Sequence, residues 1–204
     1  MITGRYNNLG WFARHPRLYE LGIVMLGTLR RQAARAVGPD GGMKVLDIAC
    51  GTGGLSMELA RLKHEVTGID LDPEMLYQAS KKTRPGMEPS YIHGDASRLP
   101  FGDHCFDAAT IAFAMHDVPY EIGVLFLREA KRVLTSNGEL TILDYNEPKK
   151  NIFAALLYPV AKLYESPNFS SFVKTGLDKY LEGANLVKSR RFTIFGGVQV
   201  LCCR

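Results

Sequence analysis

Two glycines and two carboxylates in the first third of the chain stand where they could grip a nucleotide-like ligand. Gly51 and Gly53 interrupt an apolar run, KVLDIACGTGGLSM at 44–57, that contains Asp47, and Asp70 ends the next apolar stretch, EVTGID. Glycines at such a bend let the backbone turn tightly and approach a ligand with no Cβ in the way. Gly54 and Ser56 then open a helix whose free N–H groups and positive dipole end favour an anionic group such as a carboxylate. An acidic residue one strand later can accept both hydroxyls of a ribose, which supports a nucleoside without naming one. Ser56 occupies the place of the third glycine of the dinucleotide fingerprint, so a smaller terminal group fits better than a pyrophosphate.

The elements that must position these residues alternate. Val45, Leu46, Ile48 and Ala49 read as a strand buried on both faces, because the run is apolar with little alternation. Strands are expected at about 43–49, 65–70, 90–93, 106–112 and 139–145, with helices at 54–62, 73–82 and 120–134. This pattern means a parallel sheet with right-handed crossovers. Two helical pieces, at 5–14 and 18–37, come first, and the cluster Gly38-Pro39-Asp40-Gly41-Gly42 ends them. After Pro148 a helix-prone stretch at 152–164 and a helix at 169–182 are expected. Two runs at 186–194 and 198–203, around Phe195-Gly196-Gly197, read as a terminal hairpin.

IHGDASRLPF at 92–101, FDAATIAFAMHDVP at 106–119 and FLREAKRVLTSNGELTILDYNEP at 126–148, taken in order with DIACGTG, resemble the class I S-adenosylmethionine-dependent methyltransferases. Within them the likeness is to the ubiquinone/menaquinone-biosynthesis C-methyltransferase group. It runs from about Lys44 to about Pro148. The resemblance implies an α/β, Rossmann-like fold: a mostly parallel seven-stranded sheet with a terminal antiparallel hairpin and helices on both faces. It implies one domain over 1–204, with a helical lid at 1–40, a cofactor-binding core at 41–148, and substrate-side helices plus the hairpin at 149–204. The cofactor it implies is S-adenosyl-L-methionine, with S-adenosyl-L-homocysteine as the product.

The resemblance also distributes roles. Asp47 either orients the ligand's ammonium or is a structural carboxylate bonded to loop amides; a charge in an apolar strand needs partners of one kind or the other. The backbone of Ala49 and Cys50 lies along the methionine portion, with Cys50 a packing residue rather than a nucleophile, and Gly51 and Gly53 touch the cofactor. Asp70 accepts the ribose hydroxyls, Leu71 and Met75 flank the adenine, Asp95 accepts its amino group and the Ala96 N–H addresses a ring nitrogen. Asp72, just before Pro73, reads instead as a helix cap. Ala112 and Phe113 border the sulfonium, although Phe113 could simply pack.

His116-Asp117 departs from the Arg-Asn pair usual in the nearest relatives. His116 is the candidate general base for a phenol or enolate acceptor, since histidine takes up a proton near neutral pH; Asp117 either orients it or caps the next helix. Asp144 and Tyr145 lie at a strand exit where ligands of open α/β sheets bind. They are candidate substrate contacts, with Tyr6, Trp11 and Tyr19 as aromatic cover, joined by Phe153, Tyr158 and Tyr164. The segment between Pro148 and Lys188 is shorter than in quinone-type relatives, so the acceptor pocket is smaller or more open.

Composition narrows the partners. The chain has 204 residues, 46% hydrophobic and 23% charged, long enough for one domain with a buried sheet. A net charge of +4 is carried in isolated pairs such as Lys81-Lys82, Lys149-Lys150 and Arg190-Arg191. There is no basic stripe and no Asn-Pro-Pro-aromatic motif, so nucleic acid is not expected as substrate. Arg5, Arg14 and Arg17 interrupt any leader-like run, and the apolar stretch at 18–29 contains Glu20 and is too short to span a bilayer. A cytoplasmic enzyme acting on a small, lipophilic or quinone-like molecule is the expectation, with peripheral membrane contact and a homodimer left open. Cys50, Cys105, Cys202 and Cys203 lack metal or disulfide spacing. An NAD-dependent oxidoreductase is disfavoured by Ser56 and the HGDA segment; the competing readings are a protein that binds the cofactor without turnover and, as the nearest enzyme alternative, a nucleic-acid methyltransferase.

Overall fold

The computed structural model describes residues 16–146, 166–194 and 197–204, with side chains from residue 27 on. Helix α1 (Pro16–Val37) leads into β1 (Lys44–Ile48), α2 (Gly54–Arg61), β2 (Glu65–Asp70), α3 (Pro73–Lys82), β3 (Ser90–His93) and β4 (Phe106–Ala112). A 3-10 turn at Met115–Asp117 precedes α4 (Tyr120–Val133) and β5 (Leu134–Tyr145). Then come α5 (Phe169–Thr175), α6 (Leu177–Gly183) and the hairpin β6 (Lys188–Ile194) and β7 (Val198–Cys203). The seven strands run in the order β3-β2-β1-β4-β5-β7-β6. The first five are parallel, and β7 runs antiparallel to both β5 and β6.

Alternation along each strand divides the interior in two. Leu46, Ile48, Ala109, Ile111, Leu140, Ile142, Leu201 and Cys203 face one core with residues of α4, α5 and α6. Val45, Ala108, Leu143 and Val200 face the other, with Leu29, Ala33 and Ala34 of α1 and Leu55 and Leu59 of α2. Both faces of the central strands are thus covered, which is why their sequences read as unbroken apolar runs. Cys202 and Cys203, neighbours on β7, point to opposite faces: the first meets Thr141, the second joins the α4 side.

Three local expectations differ from the structure. The single helix expected at 169–182 is two, because Gly176 adopts φ 75° and ψ 144° and breaks the ladder after Thr175. Strand β5 starts at Leu134, directly after α4: Leu134 pairs with Phe106 and Glu139 with Ala108, so the Thr135–Gly138 stretch bulges out of the ladder. The cap of α4 is Pro119, with no side-chain hydrogen bond, so Asp117 does not serve there. The helical pieces expected at 5–14 and 152–164 lie outside the described residues. Among the described residues no helix is long and apolar enough to cross a membrane.

One buried charge ties the layers together. Asp47 on β1 is 1% exposed; it accepts hydrogen bonds from Ser56 Oγ of α2 at 2.5 Å and from Thr110 Oγ1 of β4 at 2.8 Å. Burial pushes its carboxyl from 3.8 up to about 6, against the opposing pull of these hydroxyls and of the Arg30 charge. Between those two values the native state holds a proton that the unfolded chain has released. Stability therefore falls as pH rises through this window and levels off above it, by about 3 kcal/mol in all. Asp47→Asn abolishes the effect: in urea titrations the variant should gain on the wild type by up to that amount between about pH 4 and 6.5. A difference independent of pH would contradict the assignment.

Candidate functional site

The carboxyl ends of β1, β2, β3 and β4 open onto one rim, and each contributes a residue singled out in the sequence. After Ile48 the chain leaves the sheet through Ala49, which takes φ 54°, a left-handed conformation uncommon for a residue with a side chain. The Cys50 N–H donates to the Ile69 carbonyl at 3.0 Å, tying the exit of β1 to that of β2. Burial, then the nearby carboxylates of Asp47 and Asp70, push the Cys50 thiol far above its ordinary value, which makes it a packing group.

Gly51 and Gly53 do different work. Both have positive φ, 53° and 72°. A Cβ on Gly51 would meet no atom of the described residues within 4 Å, so the backbone there faces open space among them. A Cβ on Gly53 would lie 2.4 Å from Tyr91 Oη and 3.0 Å from Ala79 Cβ. Gly53 is also the left-handed residue from which α2 starts. The first glycine leaves room for a ligand; the second lets the loop sit down on β3 and α3.

Asp70 shapes the loop. Its Oδ2 accepts the Gly51 N–H at 2.7 Å and its Oδ1 the Asp72 N–H at 2.9 Å. Each oxygen keeps a second lone pair for an external donor. Burial raises its proton affinity above that of an ordinary carboxylate. Asp72 caps α3 by accepting the Glu74 N–H at 2.8 Å, as its position before Pro73 suggested.

Asp70 pairs in register with His93 of β3, and the Gly94 N–H donates to the Asp70 carbonyl, so Asp95 follows on the neighbouring strand exit. Its Oδ1 accepts from the Ser97 N–H and hydroxyl, and Ala96 is buried beside it. Leu71 is 48% exposed on the same rim, its carbonyl held by His93 Nε2 at 2.9 Å, and half-buried Met75 lies in the first turn of α3.

Across β1, strand β4 delivers the second half of the site. Ala112 is half-buried, and Phe113 turns out of the strand at φ 53° with its N–H donating to the Leu143 carbonyl at 2.8 Å. The turn sets His116, 2% exposed, against Asp144 at the end of β5: Nδ1 donates to Oδ1 at 2.8 Å. Asp144 is fully buried, and it also accepts the N–H groups of Met115 and Tyr145. The sequence placed Asp144 at an open rim; its carboxylate instead faces inward and fixes His116. Asp117 Oδ1 stands 3.6 Å from His116 Nε2.

Aromatic rings pack edge-on around this pair. Tyr145 lies 4.9 Å from the imidazole, Phe169 6.0 Å and Phe172 6.3 Å, and Phe113 meets Tyr145 at 5.7 Å. Tyr6, Trp11, Phe153, Tyr158 and Tyr164 lie outside the described residues, as does the side chain of Tyr19.

Sequence reading missed the partners of these groups. Thr110 is the residue paired with Asp47 in the β1–β4 register, and a lone hydroxyl in the apolar run FDAATIA was its signal. Ser56, read as a helix-opening residue in the place of a third glycine, donates to Asp47. Arg30, on α1, lies over Gly54.

A left-handed glycine facing open space, a carboxylate with spare lone pairs behind it and a second carboxylate on the next strand exit suit a nucleoside-bearing ligand. A methyltransferase-domain family model matches residues 45–138. The demethylmenaquinone methyltransferase of Staphylococcus aureus (strain MRSA252) is 32% identical over 179 residues, covering 86% of this chain and 68% of its own length. A SAM-dependent methyltransferase from Aquifex aeolicus has a TM-score of 0.66 at 21% identity, covering 85% of this chain and 88% of its own. A TehB-like SAM-dependent methyltransferase from Corynebacterium glutamicum ATCC 13032 gives 0.66 at 19%, covering 94% and 98%; at these identities the likeness is one of fold. The family match, the relative's identity over most of both chains and the strand order agree: the chain belongs to the class I S-adenosylmethionine-dependent methyltransferases.

Proposed function

We propose that this methyltransferase acts on a small, largely apolar, quinone-like acceptor held between the exit of β4 and the rings of Tyr145, Phe169 and Phe172. The observation that carries the reading is the buried His116–Asp144 pair enclosed by aromatic rings next to the glycine rim. Aromatic walls suit a flat apolar substrate and a polar pair within them suits its hydroxyl. The identity with a demethylmenaquinone methyltransferase supports the same acceptor class. The reading carries with it a cytoplasmic enzyme that meets its acceptor in solution or at a membrane face.

When bound, the cofactor supplies an electrophilic methyl group on a cationic sulfur. The chain's own residues divide the remaining work. Asp70 would accept the ribose hydroxyls, Asp95 and the Ala96 N–H would address the adenine, and Leu71 and Met75 would wall it. Ala49, Cys50, Gly51 and Gly53 would line the amino-acid portion with backbone, and Asp47 would attract its ammonium through the floor of the loop. Ala112 and Phe113 would border the sulfonium. Displacement of this kind needs little covalent help, and alignment of the two reactants can supply roughly 7–11 kcal/mol.

His116 would take the acceptor's proton. Because Asp144 accepts from Nδ1, the neutral ring carries its lone pair on Nε2, and the carboxylate stabilises the imidazolium that forms. Asp144 is thereby a positioning residue.

Three outcomes follow. With the cofactor supplied, release of S-adenosylhomocysteine should be seen with reduced demethylated naphthoquinols or benzoquinols, and turnover confined to catechols, amines or nucleic acid would overturn the acceptor class. Asp70→Ala should weaken S-adenosylhomocysteine binding at least about 100-fold in calorimetry, since two hydrogen bonds to a charged acceptor are lost. His116→Gln should lower kcat about 10²–10⁴-fold with cofactor affinity within a few-fold of wild type, and should remove the acid limb of the kcat/KM profile. A surviving acid limb in that variant would reassign the base.

A further inference from the structure

Among the described residues, the Oε1 atom of Gln199 is buried and has no hydrogen-bond partner. Gln199 lies on β7 and is 1% exposed. Its amide can point only one way. Nε2 donates to the Tyr145 carbonyl at 2.8 Å; a carbonyl only accepts, so the amide nitrogen must face it and the amide oxygen must turn away. An amide oxygen enclosed without a donor is costly, and an apolar residue at this place would avoid the cost.

Strand register puts that oxygen on the acceptor side of the sheet. Gln199 pairs directly with Asp144 of β5, and opposed residues of an antiparallel pair share a face. Alternation agrees, because Leu201 and Cys203 face the core that also holds Phe169 and Phe172. His116 bonds the same Asp144 at 2.8 Å. With β5 between β4 and β7, His116 reaches Asp144 from the β4 side and Gln199 flanks it from the β7 side. Tyr145, whose carbonyl holds the amide, has its ring 4.9 Å from the imidazole and 5.0 Å from Phe169. Adjacent strands lie about 4.8 Å apart, a span that one aromatic ring bridges.

We infer that Gln199 Oε1 accepts a hydrogen bond from a second hydroxyl of the aromatic acceptor, on the side of the ring away from the hydroxyl that His116 addresses. The inference rests on the acceptor class proposed above and adds the group that reads its substitution. A hydroxyl can donate to an amide oxygen. A ring C–H leaves that oxygen unpaired, and an ether or a quinone carbonyl sets oxygen against oxygen. Gln199 is thereby a specificity-determining residue: it favours a dihydroxy ring over a monohydroxy one, and the reduced form of the acceptor over the oxidised form.

The test uses the full chain, S-adenosylmethionine and two acceptors kept reduced by dithionite: 1,4-dihydroxynaphthalene, and 1-naphthol, which lacks the second hydroxyl. The quantity read is the ratio of their kcat/KM values, followed by release of S-adenosylhomocysteine. Gln199→Met, which keeps the length of the side chain and loses the amide, should lower that ratio about 10–100-fold. Gln199→Glu, held protonated by burial, keeps a donor for the Tyr145 carbonyl and an accepting oxygen, and should hold the ratio within about threefold of wild type. Should Gln199→Met not fold, Gln199→Asn, which withdraws the oxygen by one methylene, carries the same expected fall. Equal losses on both acceptors, the mark of an amide that merely props the Tyr145 backbone, leave the ratio unchanged and would overturn the contact. Absence of wild-type turnover on either naphthol, with S-adenosylhomocysteine still bound, would remove the acceptor class and this contact together, an outcome distinct from a failure at Gln199 alone.

Discussion

The hydrogen bond from the Gly51 N–H to Asp70 is the contact on which the site depends. It joins the exits of two parallel strands and fixes a left-handed backbone at the point of the loop that faces open space. Parallel pairing of β1 with β2, residue for residue from Lys44 with Glu65 to Ile48 with Ile69, brings the two exits level. The same topology places β3 beside β2 and β4 beside β1, so four strand ends converge without any long loop. A one-residue slip of β2 would turn Asp70 to the other face and leave the loop unsupported.

Charge is handled sparingly in this interior. Asp47, Asp144, His116 and Arg30 are the charged or ionisable groups that the sheet and its helices enclose near the rim. The first two carboxylates are treated differently: hydroxyls from α2 and β4 satisfy Asp47, whereas two backbone N–H groups and an imidazole satisfy Asp144. Hydroxyls can reorient as a proton comes and goes, so Asp47 can lose or gain charge without breaking its contacts. Asp144 accepts from fixed backbone donors, an arrangement that holds the carboxylate, and with it the ring of His116, in one orientation.

The sheet was legible because its signals are local. Buried parallel strands announce themselves as apolar runs, and the boundaries of β2, α3, β3 and β4 follow directly from the residues that start and stop them. Asp72 before Pro73 and the glycines after Ile48 carry their own conformational reasons. Pairing was not legible. Asp47 with Thr110 and His116 with Asp144 each join residues far apart in the chain, and only the register of neighbouring strands decides which of them meet. Arg30 was hidden for a related reason. In a helix with several arginines, nothing local separates one facing the core from those facing water; the separation is made by where α2 starts. The early onset of β5 escaped because the Thr135–Gly138 bulge looks, in sequence, like the turn that ends a helix.

Strain marks the same rim from another direction. Ala49 and Phe113 both adopt left-handed φ although both carry side chains, and they occupy equivalent places, the residues that follow the central strands β1 and β4. Such conformations cost of order 1 kcal/mol or more each and persist only where the surroundings hold them. Here the holding contacts are the Cys50 and Phe113 N–H groups, which donate to carbonyls of the adjoining strands β2 and β5. Relaxing either bend would carry Gly51 away from Asp70, or Phe113 away from Tyr145. The two halves of the site, one for a nucleoside and one lined with aromatic rings, are therefore set by the same device. Each is a strand exit bent against its preference by its neighbour, and the distance between them is the spacing of β1 and β4 in the sheet.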